Sequence, residues 1–481
     1  MRAYYVVVLL ICAISTACTH VAPKRTSLSG TGDPPGCNAP TGEAPTNCEH
    51  QIVERSDDYD LHFIEFDDQG RPYADNPDFG DAHKQIDEFL LNVERTAKTE
   101  AGVSVVVFVH GWLHSSDSED GNLESFRRVL GQLAKVENLA FCRRKVIGVY
   151  VGWRGAATVF GRHPVDTLSF WSRKFAAEQV ATGSFQQVVA GLKAMQSATP
   201  DRIEKSRSLQ EANCSSRLKT MYVGHSFGGL IIVSSMAQDL SRGLMLDQLG
   251  GESSLGARAA APRTRSDELV VAINPAIESA RFDALFRIAS TAKYPYYRPP
   301  RFIAITSKND WATGRMFPAG RTVNLITKRF PRGDNSGRSA ARRALGHDPN
   351  YLTRTLAESS HYTGDKQAAE RYCADADAEL PLAERAKLDV ARARNFHAAV
   401  GGSYDANKPE FWPRAFCVKD PDDSKPDVLI MDAYANSDMD RNTPIWNIST
   451  GKPIVKDHGD IESIRLIEFL RQIYVDTMFF R

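Results

Sequence analysis

Short apolar runs alternate with longer stretches of helical periodicity along most of the chain. Val103–Val109 carries six apolar residues in seven, the pattern of a strand buried on both faces. Tyr59–Phe66 alternates apolar and polar residues and precedes the turn sequence at 67–70, which favours an edge strand. Similar strands are predicted at residues 146–151, 221–223, 269–273, 302–305 and 428–431, with helices near 122–136, 226–240 and 461–474. The alternation predicts an α/β fold with a doubly wound, mostly parallel sheet covered by helices.

Two segments between predicted strands are longer than an ordinary crossover connection. Residues 154–217 have helical periodicity and several aromatic residues, whereas residues 311–427 are charged and include an Ala/Arg/Glu-rich part near 366–399. Insertions after strand C-termini in a doubly wound sheet overhang the ligand crevice, so both segments are predicted to be caps or lids. For residues 311–427, surface decoration without a substrate role is an equal alternative.

The N-terminus has the pattern of an export signal. Residues 1–17 contain one charge, Arg2, and an apolar run of about a dozen residues, too short for a permanent membrane span. The residues before Cys18 resemble a bacterial lipoprotein cleavage site, except that Ser15 stands where Leu is usual. The resemblance implies that Cys18 carries lipid and anchors an exported protein in the cell envelope, at the outer membrane; cleavage without lipid would leave it periplasmic. Residues 18–50, rich in Pro, Gly, Thr and Ser, are predicted to form a flexible tether to a domain at 51–481.

Composition and charge restrict the classes of function. A hydrophobic content of 42% with 25% charged residues supports a buried core. The 59 basic and 59 acidic residues balance, so no basic excess exists to hold a nucleic-acid backbone, and no nucleic-acid partner is predicted. Neither an H-E-x-x-H sequence nor a phosphate-binding glycine loop occurs, and no metal or other cofactor is implied.

Residues 224–228 read Gly-His-Ser-Phe-Gly, a G-x-S-x-G motif with a predicted strand before it and a predicted helix after it. In this motif the serine occupies a strained strand-to-helix turn, and the glycines avoid collisions with neighbouring backbone. Ser226 is therefore the candidate nucleophile. A second motif strengthens this interpretation, because the buried strand Val103–Val109 runs directly into His110, Gly111 and Trp112.

Together these motifs, at residues 103–112 and 222–229, resemble those of the α/β-hydrolase family of serine esterases and lipases. The resemblance covers about residues 59–310 and 427–481. It implies an α/β-hydrolase fold with a helical cap and a long insertion before the last strand. It also implies an oxyanion hole formed by the N–H groups of Phe227, after the nucleophile, and Trp112, after the third strand. His110 is left outside the catalytic triad.

The family's chain order of serine, acid and histidine implies the other two members of the triad. Asp310 lies just beyond the predicted strand at 302–305, where the carboxylate is expected, with Glu278 and Asp432 as rivals. His458 lies in a loop before the last predicted helix, where the family has its base. The other histidines after Asp310 are predicted to lie on the solvated surface of the long insertion: His347, His361 and His397.

Export would permit disulfide bonds, and six cysteines remain beside Cys12 and Cys18. Six thiols allow fifteen connectivities. Cys142 and Cys214 each precede a predicted strand and would meet at one sheet edge if those strands are parallel neighbours. Proximity in sequence favours the pairs Cys37–Cys48 and Cys373–Cys417.

The sequence therefore predicts an exported serine hydrolase, a carboxylesterase or lipase, acting on a small-molecule or lipid ester and bound to the membrane through its N-terminal lipid. Two alternatives remain open. One is a non-catalytic α/β-hydrolase scaffold in the cell envelope. The other is an amidase or peptidase that uses the same triad.

Overall fold

The computed structural model describes most of the chain from residue 22 onward. The described residues are 22–28, 37–40, 43, 45–73, 84–139, 143–155, 163–198, 218–252, 267–292, 294, 299–363, 366–374, 388, 392, 414–418 and 427–478. The predicted signal peptide and Cys18 lie outside these residues, as do Cys142, Cys214 and His397.

A single sheet runs through the described part of the chain. Its twelve strands are β1 (Asn38–Ala39), β2 (Val53–Ser56), β3 (Tyr59–Phe66), β4 (Val103–Val109), β5 (Lys145–Trp153), β6 (Lys219–His225), β7 (Glu268–Ile273), β8 (Phe302–Ser307), β9 (Arg354–Glu358), β10 (Arg414–Val418), β11 (Asp427–Ala433) and β12 (Ile445–Thr450). They are ordered β1-β2-β3-β5-β4-β6-β7-β8-β12-β9-β11-β10. From β3 to β9 every neighbouring pair is parallel, whereas β2–β3, β9–β11 and β10–β11 are antiparallel. The predicted α/β class with a mostly parallel sheet is confirmed.

Helices cover both faces of this sheet. The longer ones are α1 (Gln85–Thr99), α2 (Gly121–Leu139), α3 (His163–Thr182), α4 (Phe185–Ala198), α5 (Phe227–Glu252), α6 (Ser279–Thr291), α7 (Phe317–Leu325), α8 (Asn335–Arg342), α9 (Gln367–Ala374) and α10 (Ile464–Met478). One apolar core lies between the sheet and α1, α3, α4, α5 and α6, and a second lies under α2 and α10. All seven residues of β4 are buried, as its continuous apolar pattern predicts. Among the described residues no helix is long and apolar enough to span a bilayer.

The last strand of the sheet by chain order is β12, which the sequence pattern did not indicate. Residues 445–450 read Ile-Trp-Asn-Ile-Ser-Thr, so half of the positions are polar. The central strands of a parallel sheet are buried on both faces and are usually continuous apolar runs, which this sequence is not. Asn447 is nevertheless fully buried, because its amide donates hydrogen bonds to the carbonyls of Leu345 and Tyr351, at 3.1 and 3.0 Å. These two hydrogen bonds offset the cost of burying the NH₂ group of the amide. The predicted strand at 428–431 is present as β11, the second strand from the edge.

Both long insertions contribute to the body of the fold. In the first, helix α3 contacts α5, and Ala177 and Val180 of α3 are buried in the core. In the second, residues 354–358 and 414–418 form β9 and β10 of the sheet. A description of residues 311–427 as lid or surface decoration is therefore incomplete, because part of this segment extends the sheet by two strands.

The described part of residues 18–50 differs from the predicted tether. The Arg25 side chain is fully buried, donates to the carbonyls of Ser116 and Cys48 at 2.9 and 2.6 Å, and pairs with Glu54 at 3.2 Å. The backbone N–H of Arg25 donates to Glu65 at 2.8 Å. A buried guanidinium needs such compensation, and these partners fix the segment against the end of β3. Composition does not reveal such long-range partners.

Two of the three favoured disulfide bonds are present. Cys37 is bonded to Cys48, and Cys373 to Cys417. The second bridge ties α9 to β10, within the second insertion. The pairing of Cys142 with Cys214 concerns residues outside the described part of the chain.

Candidate functional site

Ser226 occupies the sharp turn between β6 and α5. Its φ of 55° lies in the left-handed region, which non-glycine residues rarely adopt. The flanking glycines permit the turn: a Cβ at Gly224 would lie 2.4 Å from the carbonyl oxygen of Gly228, and one at Gly228 would lie 2.0 Å from that of Val109. Backbone strain of this kind persists where the surrounding structure holds it and is concentrated at functional sites.

The three side chains inferred from chain order meet at this turn. The Nε2 atom of His458 lies 2.8 Å from the Oγ of Ser226, and its Nδ1 lies 2.8 Å from the Oδ2 of Asp310. An ionised carboxylate only accepts hydrogen bonds, so Nδ1 carries the proton and Nε2 accepts from the serine hydroxyl. Residues 226, 310 and 458 follow β6, β8 and β12, whose carboxyl ends share one edge of the sheet.

The Asp310 carboxylate is held by more than the histidine. Thr313 donates its hydroxyl to Oδ2 and its backbone N–H, at 3.0 Å, to Oδ1. Burial raises the pKa of the Asp310 carboxyl, but the hydrogen bonds from His458 and Thr313 outweigh burial and hold this pKa below its ordinary value. The carboxylate is therefore ionised at neutral pH. His347 Nε2 lies 3.0 Å from Thr313 Oγ1 and fixes the hydroxyl on its other side.

A second set of hydrogen bonds holds the backbone of the His458 loop. The carbonyl oxygen of His458 lies 2.7 Å from Nε2 of His225, and the amide of Asn274 donates to it at 3.0 Å. The same amide donates to the carbonyl of Asp457, and its oxygen accepts from the N–H of Ser307. Burial lowers the pKa of His225 to about 3, so His225 is neutral and donates through Nε2. His225 and Asn274 thus clamp the loop that carries His458.

The two residues expected to supply the oxyanion hole, Phe227 and Trp112, lie on the segments next to Ser226. Phe227 is the first residue of α5, so its N–H has no acceptor within the helix and lies at the positive end of the helix dipole. The loop at Gly111 and Trp112 runs alongside, since a Cβ at Gly111 would lie 3.0 Å from Cβ of Ser226. The next residue, Leu113, has a φ of 68° and donates its N–H to Gly155, which fixes the loop.

Aromatic side chains from several elements pack against Phe227, the residue that follows Ser226. Phe170 of α3 contacts Trp112 and Phe227, with ring centroids 5.3 and 4.7 Å apart. Trp171, adjacent to Phe170, contacts Phe317 of α7 with centroids 5.9 Å apart. Both long insertions therefore supply aromatic residues to one cluster that includes Phe227, the residue after Ser226, and we name these five side chains the aromatic wall. Phe170, Phe227 and Phe317 are buried in the core, whereas Trp112 and Trp171 are partly exposed.

The other candidates lie outside the triad. Glu278 is paired with Lys174, Arg281 and Arg321, and Asp432 accepts a hydrogen bond from Tyr362. His110 is fully buried against Trp153, and burial lowers its pKa to about 4, in agreement with a structural role. His361 is exposed beside Glu358, as predicted for the surface of the insertion.

Sequence reasoning missed Asn274, Thr313 and the role of His347. The prediction of a solvated His347 is wrong, because burial lowers the pKa of this half-buried side chain and its ring contacts Thr313. A usable signal existed for Asn274 and Thr313, since Asn274 directly follows a predicted strand and Thr313 lies three residues after Asp310. In the described part of the chain, no group of three or more potential metal ligands is present.

The arrangement can carry out nucleophilic acyl transfer. It places a hydroxyl, an imidazole and an ionised carboxylate in a hydrogen-bonded series, the set that this chemistry requires. An apolar cavity of about 60 Å³ lies elsewhere, under α2 and α10, and is lined by none of the three residues.

Comparisons with protein-family models, curated proteins and solved structures found no match to the chain.

Proposed function

We propose that the protein is a serine hydrolase of α/β-hydrolase fold that cleaves carboxylic esters through an acyl-enzyme on Ser226. The observation that carries the proposal is the continuous hydrogen-bonded series from Asp310 through His458 to Ser226, with both distances at 2.8 Å and the serine on a strained turn. A non-catalytic binding scaffold needs neither a serine on a strained turn nor a hydrogen-bonded series that ends at its hydroxyl. The order of β6, β8 and β12 supports the family resemblance.

In the proposed reaction, Ser226 Oγ attacks the acyl carbon while His458 Nε2 takes its proton. The N–H groups of Phe227 and Trp112 stabilise the negative oxygen of the tetrahedral intermediate. His458 then returns the proton to the leaving alcohol. Water, activated by the same nitrogen, releases the acid and restores Ser226. Asp310 orients His458 and stabilises its charged form in both steps.

The partly exposed members of the aromatic wall, Trp112 and Trp171, support a substrate with an apolar acyl or alcohol group, as in a carboxylesterase or lipase. We further propose that the protein is exported and held in the bacterial cell envelope by lipid on Cys18, at the outer membrane. Release without lipid would leave it in the periplasm.

A fluorophosphonate probe tests the proposed function directly. We expect the folded chain to be labelled at Ser226, as located by peptide mapping, and the heat-denatured chain to remain unlabelled. A panel of p-nitrophenyl esters of increasing chain length, with matched anilides, should show preference for esters. Absence of labelling would instead favour the non-catalytic scaffold, and preference for anilides would favour an amidase.

Asn274→Asp tests the clamp on the His458 loop. The variant keeps the size of the side chain but replaces a donor by a carboxylate facing two carbonyl oxygens, which should displace the loop. We expect kcat to fall roughly 10- to 100-fold, because small misplacements of catalytic groups cost this much, with little change in KM. The measurement is steady-state hydrolysis of a short-chain ester.

Asn442→Asp is the matched control for this prediction. Asn442 is buried and also donates to a backbone carbonyl, that of Tyr294, but it lies at the opposite edge of the sheet, before β12. It should lower stability without lowering kcat. If both variants reduce kcat alike, Asn274 has only a structural role.

A further inference from the structure

The segment after Asp310 carries an uneven distribution of charge. Between residues 311 and 343 the sequence has a single acidic residue, Asp334, although the whole chain is neutral. The basic residues of this segment are Arg315, Arg321, Lys328, Arg329, Arg332, Arg338, Arg342 and Arg343. The segment begins with a turn of π-helix at Ala312–Met316 and continues through α7 and α8.

The inner side of this segment is fixed to the fold. Phe317 is fully buried, Arg321 pairs with Glu278 at 3.0 Å, and Ala340 of α8 is buried as well. Asp334 accepts a hydrogen bond from Gly337 at the start of α8, so the one acidic side chain serves as a helix cap. These contacts attach the segment to the fold without using the remaining cations.

Those cations point to solvent together with large apolar side chains. Trp311, Val323 and Ile326 are 61, 65 and 76% exposed. The exposed cations form no ion pair with any residue that the structure describes: Arg315, Lys328, Arg329, Arg332, Arg338 and Arg342. We name the exposed residues from Trp311 to Arg342 the basic–apolar face.

Helical spacing brings these residues into line. Trp311, Arg315, Ala319 and Val323 follow one another at intervals of four, and Ile326 lies three residues further. The wider π-helical turn suits the first interval and the α-helix the later ones. All five are exposed, so the face is continuous along the helix.

We propose that the basic–apolar face docks on the surface of a lipid bilayer that carries anionic headgroups. Exposed aliphatic side chains and a tryptophan would enter the boundary between headgroups and acyl chains, while the cations meet lipid phosphates. Each such cation near an anionic surface strengthens binding by about fivefold. An acidic protein or a nucleic acid would satisfy the charges but would leave Val323 and Ile326 without an apolar partner.

The location of the face gives the docking a consequence for the active site. Trp311 directly follows Asp310, whose carboxylate holds His458. If the proposed function holds, docking brings the rim of the site to the bilayer and favours ester substrates that reside in the lipid layer. This consequence rests on the proposed function, whereas the docking itself does not.

Vesicle sedimentation tests the proposal with the full chain carrying Cys18→Ser, so that no lipid on that residue contributes. We expect binding to mixed phosphatidylcholine–phosphatidylglycerol vesicles that weakens with added salt, and much weaker binding to phosphatidylcholine alone. Lys328→Gln/Arg329→Gln/Arg332→Gln should weaken binding on the order of 100-fold, by removing three surface charges. Val323→Ser/Ile326→Ser should weaken vesicle binding about tenfold or more, because it removes aliphatic area that would be buried in the bilayer.

Matched variants elsewhere on the surface provide the controls. Arg95→Gln/Lys98→Gln/Lys135→Gln removes the same charge from α1 and α2, and Met245→Ser/Leu246→Ser removes two other exposed apolar side chains. Both should leave binding unchanged. Equal losses in the controls, no binding to the mixed vesicles, or face-dependent binding to polyglutamate or DNA in place of vesicles would overturn the proposal. Sedimentation needs no turnover, so a Ser226→Ala chain gives the same answer, and failure of either proposal leaves the other standing.

Discussion

Replacing Ser226 with alanine is expected to abolish nearly all ester hydrolysis, with kcat falling on the order of 10⁶-fold. The hydroxyl oxygen is the attacking atom and lies within hydrogen-bond distance of His458 Nε2, so its removal eliminates the acyl-enzyme route. Binding and the backbone donors would still leave acceleration of roughly 10³–10⁴ over water. The measurement is turnover of a short-chain p-nitrophenyl ester by chains whose folding is verified by thermal unfolding.

Ser235→Ala is the matched control for this loss. Ser235 lies in the same helix that follows the turn and donates its hydroxyl to the carbonyls of Ala181 and Ile231, away from His458. This variant should retain turnover. His458→Ala should lose about as much as Ser226→Ala, because members of a triad act as a unit. Wild-type activity in the Ser226→Ala chain would refute the serine-hydrolase proposal.

The parts of the site that could be predicted are those marked by local sequence. Gly224 and Gly228 flank Ser226 because neighbouring backbone leaves no room for a side chain, and this requirement is visible as a motif. Asp310 and His458 follow β8 and β12 at the carboxyl edge, although β12 itself was not predicted. The continuous apolar run of β4 likewise predicted a strand buried on both faces, and β4 lies in the interior of the sheet between β5 and β6.

The parts that could not be predicted depend on contacts between distant residues. Asn274 and His458 are 184 positions apart in the chain, and Arg25 and Ser116 are 91 apart. Asn447 reads as a polar residue that interrupts a strand until its two carbonyl partners are known. Hydrogen bonds to residues far away in the chain hold Asn274, Arg25 and Asn447 in place, and no local pattern reports such partners.

Asp310→Asn is expected to lower kcat by roughly 10⁴-fold, less than the loss of Ser226 or His458. The amide is nearly the same size as the carboxylate and can still accept the N–H of Thr313, so the fold should survive. Its NH₂ group would donate to Nδ1 of His458, however, and would force the proton of the imidazole onto Nε2. In that tautomer Nε2 cannot accept the proton of Ser226, and the lost negative charge no longer stabilises the imidazolium.

Asp432→Asn supplies a control that changes the same chemical group at the rival acid. Its oxygen can still accept from Tyr362, so turnover and thermal stability should both stay close to wild type. Comparing the two variants separates loss of the orienting carboxylate from a general effect of removing one negative charge. A fully active Asp310→Asn chain alongside an inactive Asp432→Asn chain would transfer the role of the acid to Asp432. Loss in Asp310→Asn alone, with labelling by the fluorophosphonate probe slowed to the same extent, would assign that role to the carboxylate that contacts His458.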